Sequence, residues 1–246
     1  MDNIAKAKKG FETSFSEAEF YNRQTQNTEH LNSILNMLTV QDGNKILDLG
    51  TGSGYLAFNI AKKYPQTAVV GLDIVSKTLE QNRILALKQG VSNLEFIDYD
   101  GMIFPIGDNT FDWIVTRYAL HHFPEIQHSF NEMARVLKPE GCLFISDPTP
   151  NKADTNRFVD SYMQLKDDGH NKFYTLDDFS EFANNSGMEL KTSFITTIRF
   201  PRKMENSCSD LLRKADNTIK QAYKIEIIGD ECYISEDVLN IVFQKL

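Results

Sequence analysis

The 246 residues, 41% of them hydrophobic, suffice for one sizeable core, and this length favours one domain with an insertion over two domains. A formal net charge of −8 and a pI near 5.2 argue against a nucleic-acid partner, since a phosphate backbone meets an average surface of its own sign. No run approaches the ~18 apolar residues of a membrane span, and Met1 to Lys6 lack the apolar stretch of a leader. Cys142, Cys208 and Cys232 are too scattered for a zinc site or a disulfide framework, so the expectation is a cytoplasmic protein without a metal.

In chain order, Phe11, Phe15, Phe20 and Tyr21 lead into an amphipathic helix from His30 to Leu38, with Leu31, Ile34, Leu35 and Leu38 on the face expected to pack on a sheet edge. From Lys45 to Asp147, short β-branched runs alternate with amphipathic segments, the sequence form of β-α units on a parallel sheet. Strands are predicted over 45–49, 68–72, 94–97, 111–116 and 142–146. Ser76 is expected to cap a helix through Leu79, Ile84, Leu85 and Leu87 that Gly90 closes. Pro124 opens the next, with the stripe Ile126, Phe130, Met133, Ala134 and Leu137, and Lys138-Pro139 ends it. Residues 148–171 are polar, carry a helix through Phe158, Tyr162 and Leu165, and interrupt the alternation as an inserted lid does. A helix over 176–184, an apolar run over 190–200, one polar helix around 209–223 and a closing strand over 238–243 complete the chain.

The densest signal is Asp48-Leu49-Gly50-Thr51-Gly52-Ser53-Gly54, directly after an apolar strand. Alternate glycines make a turn that lets a ligand approach the backbone, and the amides opening the next helix are expected to face an anionic group. The spacing lacks the third glycine of the dinucleotide fingerprint, where Tyr55 and Leu56 stand, so a pyrophosphate is not the favoured guest. Asp48 suits instead a ligand with an ammonium group beside a carboxylate. Asp73, ending the second strand, can accept both hydroxyls of a ribose or cap the following helix. Asp100, with Gly101 and Met102, can take the exocyclic amine of an adenine, while Asp98 is read equally as a solvated loop acid.

These residues resemble the class I S-adenosylmethionine-dependent methyltransferases. The family pattern D-x-G-x-G-x-G, an acid ending strand two, an acid in the turn after strand three, then P-F-x-D-x-x-F-D, is met by Asp48/Gly50/Gly52/Gly54, Asp73, Asp100 and Pro105 to Asp112. Tyr99, Gly101 and Ile106 depart from it. Leu120-His121-His122 and Arg135 to Gly141 resemble the next landmarks, and the likeness covers roughly residues 11 to 190. Within the family the chain is similar to the small-molecule branch that includes quinone-biosynthesis C-methyltransferases. Arg117 to Pro124 and Leu165 to Tyr174 are similar to a paired motif of bacterial members, from which Asp168 and Lys172 depart.

The resemblance implies a Rossmann-like, mostly parallel seven-stranded α/β sheet with helices on both faces and a helical lid. Its divisions are a helical cap over 1–40, a cofactor-binding core over 41–147, the lid over 148–174, and remaining elements over 175–246. It implies S-adenosylmethionine as cofactor and a small-molecule acceptor methylated by in-line displacement, and it fixes no oligomeric state. Gly50 and Gly52 would admit the methionine end, Asp48 order its ammonium group, Asp73 hold ribose, and Asp100, Gly101 and Met102 bound adenine. Thr51, Gly54, Ile74 and Thr116 complete the cofactor set.

Such a reaction needs mainly placement in a dry site, and a base only where the acceptor must lose a proton. The candidates are His121, His122 and His170, with His121 first; alternation along the chain predicts that only one of His121 and His122 faces the pocket. Adjacent histidines do not chelate one metal ion. Arg117 closes an otherwise apolar strand, and is expected to meet an anionic acceptor or the cofactor carboxylate, with His170 and Lys172 from the lid, or to pair with Asp147. Among the aromatics, Tyr174 is singled out as a pocket residue. A binding protein without catalysis, and a nicotinamide-dependent oxidoreductase, are the alternatives.

Overall fold

The computed structural model describes residues 4–5, 8–10, 28–166 and 168–246; Phe11, Phe15, Phe20 and Tyr21 lie outside them. Successive side chains of a strand point to opposite faces, and in the central strands both faces are apolar. In β1 (Lys45–Leu49), Ile46 faces one side while Leu47 and Leu49 face the other; in β4 (Phe111–Arg117), Trp113 and Val115 alternate with Ile114. Sheets of that kind must be covered twice. One face takes α1 (Thr28–Met37), α2 (Tyr55–Lys63) and α3 (Ser76–Gln89), and the other takes α4 (Ile126–Val136) and α6 (Leu176–Asn185).

With β2 (Ala68–Asp73), β3 (Leu94–Asp98), β5 (Leu137–Thr149), β6 (Met188–Lys203) and β8 (Glu231–Lys245), the sheet runs β3-β2-β1-β4-β5-β8-β6. The first five strands are mutually parallel; β8 runs antiparallel to both of its neighbours. A short β7 (Glu226–Ile228) on β8 makes eight strands rather than the seven expected. Strand order reverses between β1 and β4, where open sheets of this type form a crevice at their carboxyl ends.

Several expectations need correction. The helix from His30 packs on the sheet face rather than its edge, because Ile34 and Leu35 share a core with Ile46, Val115 and Phe144. Val75 rather than Ser76 is the N-cap of α3, and its amide donates to Asp73 Oδ1 at 3.0 Å. Only Leu79 of the four leucine and isoleucine positions on α3 is buried; Ile84, Leu85 and Leu87 are exposed. The single polar helix is two, α7 (Asn206–Lys214) and α8 (Asn217–Ala222), because the Asp216 carboxylate takes the Ile219 amide at 2.9 Å and starts a new helix.

The largest departure is strand length. The β5 ladder against β8 ends at Thr149 opposite Asp237, yet β6 and β8 stay paired as far as Lys203 opposite Glu231. This overhanging hairpin carries α7 and α8, and α5 (Phe158–Met163) packs onto it. Phe158, Tyr162 and Phe173 share a buried cluster with Cys208, Leu212, Tyr223, Cys232 and Ile234. The cap above the sheet thus joins residues 150–174 to residues 204–230. Among the described residues, no helix is long and apolar enough to cross a membrane.

One tyrosine ties the two halves of the cap. Tyr223 donates its hydroxyl to Asp154 Oδ2 at 2.7 Å and accepts the Asn151 amide at 3.0 Å, while Asp154 also takes the amides of Phe158 and Val159. Tyr223→Phe removes both hydroxyl bonds at a buried site and is expected to cost about 1–3 kcal/mol in urea unfolding. A cost near zero would show that the two halves hold together without this bond.

Candidate functional site

Gly50, Gly52 and Gly54 all adopt positive φ, at 69°, 49° and 78°. At Gly50 the need is also steric, since a Cβ there would lie 2.5 Å from the Ala119 methyl. Four donors of this loop are spent within the chain. Gly50 and Thr51 donate their amides to the Leu72 carbonyl at 2.8 and 3.2 Å, Gly52 to Asp73 Oδ2 at 2.8 Å, and Gly54 to the Thr51 carbonyl at 2.8 Å. Ala57, in the first turn of α2, donates to Asp48 at 3.0 Å. A carboxylate of the chain thus already sits at the helix start, and the amides of Ser53, Tyr55 and Leu56, which take no acceptor among the described residues, are what the loop offers an anionic group.

Asp48 is 2% exposed and takes the Thr51 hydroxyl at 2.7 Å on the same Oδ2 that holds Ala57. Burial pushes its carboxyl up to about 7 against these two bonds. Asp73 holds Gly52 and Val75 on separate oxygens; burial raises its pKa, and each oxygen retains a second lone pair for a further donor. Asp100 is exposed, and the Ile103 and Met102 amides on its Oδ1, at 2.9 and 2.8 Å, hold its pKa low. Gly101, beside it, adopts φ 91°, with Ile4 over it. Ile74 and Met102 are half-buried between these acids.

Across the crevice, Arg117 ends β4 with its guanidinium 5.0 Å from the Tyr55 ring and 4.1 Å from the Tyr118 ring. The alternative pairing with Asp147 does not form, because Asp147 takes the Leu120 amide at 2.8 Å and bonds His121 Nδ1. Thr116 is buried, and its Oγ1 has no hydrogen-bond partner among the described residues. His121 and His122 lie on a 3-10 turn, Leu120–His122, with ring centroids 4.1 Å apart. Both line one cavity, which corrects the expectation that only one would: alternation holds for a strand, and β4 has ended at Arg117. Burial holds both histidines below the usual range and pushes Asp147 up to about 8, so burial opposes charge on either partner of the His121–Asp147 pair.

The cavity, about 480 Å³, lies between the ends of β4 and β5 and the cap. Tyr118, His121, His122 and Pro148 form its sheet side; Tyr162, Phe173, Phe200, Arg202 and Glu236 belong to the cap side. His170 stands behind this lining, its Nε2 2.9 Å from Asp160 and its ring 5.4 Å from that of His121. Lys172 meets Asp178 at 3.4 Å, away from Arg117. Tyr174 packs on Phe179 and Phe182 in the core, contrary to its expected place in the pocket. Cys208 and Cys232 share one buried cluster, in which Cys208 lines the cavity and its Sγ donates to Met204 Sδ at 3.8 Å. Sequence reasoning missed Arg202 and Glu236 because the two strands that carry them were drawn too short. The available signal was an acid in step with Cys232, Ile234 and Val238.

Three buried acids give the fold a defined pH response. Asp48, Asp147 and Glu236 titrate at about 7, 8 and 8, and each ordinarily does so near 4. The folded chain then holds protons that the unfolded chain has lost, so stability falls as pH rises towards 8. His30, His121 and His122, all lowered, act in the opposite sense, but only below about 6.5. The urea midpoint is therefore expected to fall between pH ~6.5 and ~8, and less steeply in Asp147→Asn. A flat or rising midpoint contradicts this assignment of protons.

A family model described as a methyltransferase domain matches residues 40–215. The uncharacterised methyltransferase YcgJ of Bacillus subtilis is 31% identical over 163 residues, 65% of this chain and 64% of that protein. Demethylmenaquinone methyltransferase of Listeria monocytogenes is 27% identical over 169 residues, 68% of each chain. The chain thus spans about two thirds of the length of these relatives. The solved structure of the B. subtilis YcgJ protein superposes with a TM-score of 0.77 at 20% identity, covering 89% of this chain and 99% of that one, and shares the fold. With the glycine loop, the strand-end acids and the reversal between β1 and β4 all in place, the chain belongs to the methyltransferase-domain family.

Proposed function

We propose that this protein transfers a methyl group from S-adenosylmethionine to a small-molecule acceptor held in the 480 Å³ cavity. The observation that carries the reading is the segment from Arg117 to His122: Ala119 presses on Gly50, while Tyr118 before it and His121 and His122 after it line the cavity. A cofactor crevice and the acceptor space thus share one wall. A cavity of this volume suits a small molecule.

The donor set fits this cofactor. Asp48 is a buried acid at the foot of the loop, which suits an ammonium group and disfavours a pyrophosphate. Gly50, Thr51, Gly52 and Gly54 leave room for the methionine end, and Arg117 stands across the crevice for its carboxylate. Asp73 with Ile74 suits the ribose hydroxyls, and Asp100, Gly101 and Met102 the adenine; Thr116 supports the wall at the end of β4. When bound, the sulfonium supplies an already activated methyl group. The chain's part is to orient the acceptor and exclude water, for which residues 150–174 and 204–230 serve as a two-part lid. His121 can take an acceptor proton on its outer nitrogen once Asp147 ionises, and His170 steadies this pair from behind.

Calorimetry with S-adenosylhomocysteine tests the cofactor assignment. Binding is expected with S-adenosylhomocysteine and not with NADH, and an ammonium group that ionises Asp48 is expected to release part of a proton per site near pH 7. Buffers of different ionisation enthalpy measure that release; proton uptake, or preference for NADH, would refute the reading. Arg117→Ala is expected to weaken S-adenosylhomocysteine by about tenfold, as loss of one charge-assisted contact does. Unchanged affinity removes Arg117 from the cofactor site. Incubation with labelled S-adenosylmethionine and cell extract, read by mass spectrometry, separates catalysis from binding alone.

A further inference from the structure

Among the groups that line the cavity, the Glu236 carboxyl has no hydrogen-bond partner among the described residues. Glu236 stands on the face of β8 that carries Cys232 and Ile234, a face otherwise given to the apolar cluster of the cap. It lies one residue beyond Asp237, where the β5 ladder ends and the cap begins. The side chain is 0% exposed, and neither carboxyl oxygen has a hydrogen-bond partner among the described residues. Buried polar atoms in folded proteins are nearly always paired, so an unpaired acid lining a cavity asks what enters that cavity.

Its surroundings narrow the answer. Tyr118, Tyr162, Phe173 and Phe200 give the cavity aromatic walls that suit a flat apolar ring. Arg202 lies 4.4 Å from the Tyr162 ring, and its charge favours the ionised form of Glu236 against the burial that opposes it. Asp147 and Asp160 add to the effect of burial. Lys166, which pairs with Asp168 at 3.2 Å, and Lys203 also line the space with Glu205, so the cations Lys166, Arg202 and Lys203 face the acids Asp168, Glu205 and Glu236 and the lining carries no excess of either sign. A neutral ring carrying a hydrogen-bond donor suits such a balance.

We propose that Glu236 is an acceptor-binding residue, whose carboxyl takes the hydrogen bond of a hydroxyl on a neutral aromatic or enolic ring lodged in the cavity. The proposal rests on the small-molecule reading above and deepens it by assigning an acceptor class. A buried group built to hydrogen-bond a hydroxyl rejects the analogue that lacks it far more strongly than an apolar wall rejects a methylene. Glu236 thereby selects hydroxylated rings over their O-alkylated counterparts.

The test, run at pH ~8.5, above the value of about 8 to which burial raises Glu236 so that its carboxylate accepts and does not donate, titrates 2-naphthol, 2-methoxynaphthalene and 2-naphthylmethylamine into the full chain and into Glu236→Leu and Glu236→Gln. Wild type is expected to bind 2-naphthol at least about tenfold more tightly than 2-methoxynaphthalene, the loss of one hydrogen bond to a buried partner. Glu236→Leu binds the two alike, and Glu236→Gln, whose amide can donate to the ether oxygen, narrows the gap. Equal binding by wild type, a preference undiminished in both variants, or tightest binding of the ammonium compound overturns the assignment. S-adenosylhomocysteine titrated into the same samples keeps the two readings apart. Bound by wild type and Glu236→Leu alike with no hydroxyl preference, it leaves the function standing and removes the proposal; unbound with the preference intact, it does the reverse.

Discussion

The site depends on the buried carboxylate of Asp48. On one oxygen it gathers the Thr51 hydroxyl and the Ala57 amide, so the end of β1, the glycine loop and the first turn of α2 are fixed as one unit. Asp73 performs the matching task from β2, holding Gly52 and Val75 on its two oxygens. These bonds set the loop rigidly before any ligand arrives, which lowers the ordering cost of binding. They also leave a buried acid without a cation, a local charge imbalance that a cationic ligand group relieves.

The second constraint is the close approach of Ala119 to Gly50, which only a residue without Cβ permits. It draws the end of β4 against the end of β1 at the point where strand order reverses, and everything after Ala119 is placed by it. The 3-10 turn then carries His121 to Asp147, whose other oxygen fixes Leu120. One acid from β5 thereby sets both the backbone and the side chain of the turn that lines the cavity.

The cavity itself is a product of strand length. Because β6 and β8 outrun β5, their overhang stands clear of the sheet and supplies an apolar face on which α5, α7 and α8 assemble. Space remains between that assembly and the ends of β4 and β5, with Glu236 near the boundary. A buried acid at such a boundary weakens the fold as its proton leaves, a cost that a bound hydroxyl offsets.

The sequence by itself determined the parallel core. Runs such as Ile46-Leu47 and Trp113-Ile114-Val115 are apolar on both faces, so they form strands wherever they stand, and the glycine spacing dictates a turn without side chains. Local pattern of this kind needs no knowledge of neighbours. Tertiary structure alone decided how the loop spends four of its amides, that His121 pairs with Asp147 while Arg117 stacks on two tyrosines, and that Cys208 and Cys232 enter one buried cluster. It also brought Glu236 and Arg202 to the cavity from the ends of a hairpin, beyond the apolar runs 190–200 and 238–243 that mark its strands. Each of these is a contact between residues far apart along the chain, fixed by packing and by the burial of charge, and neither quantity is readable from periodicity.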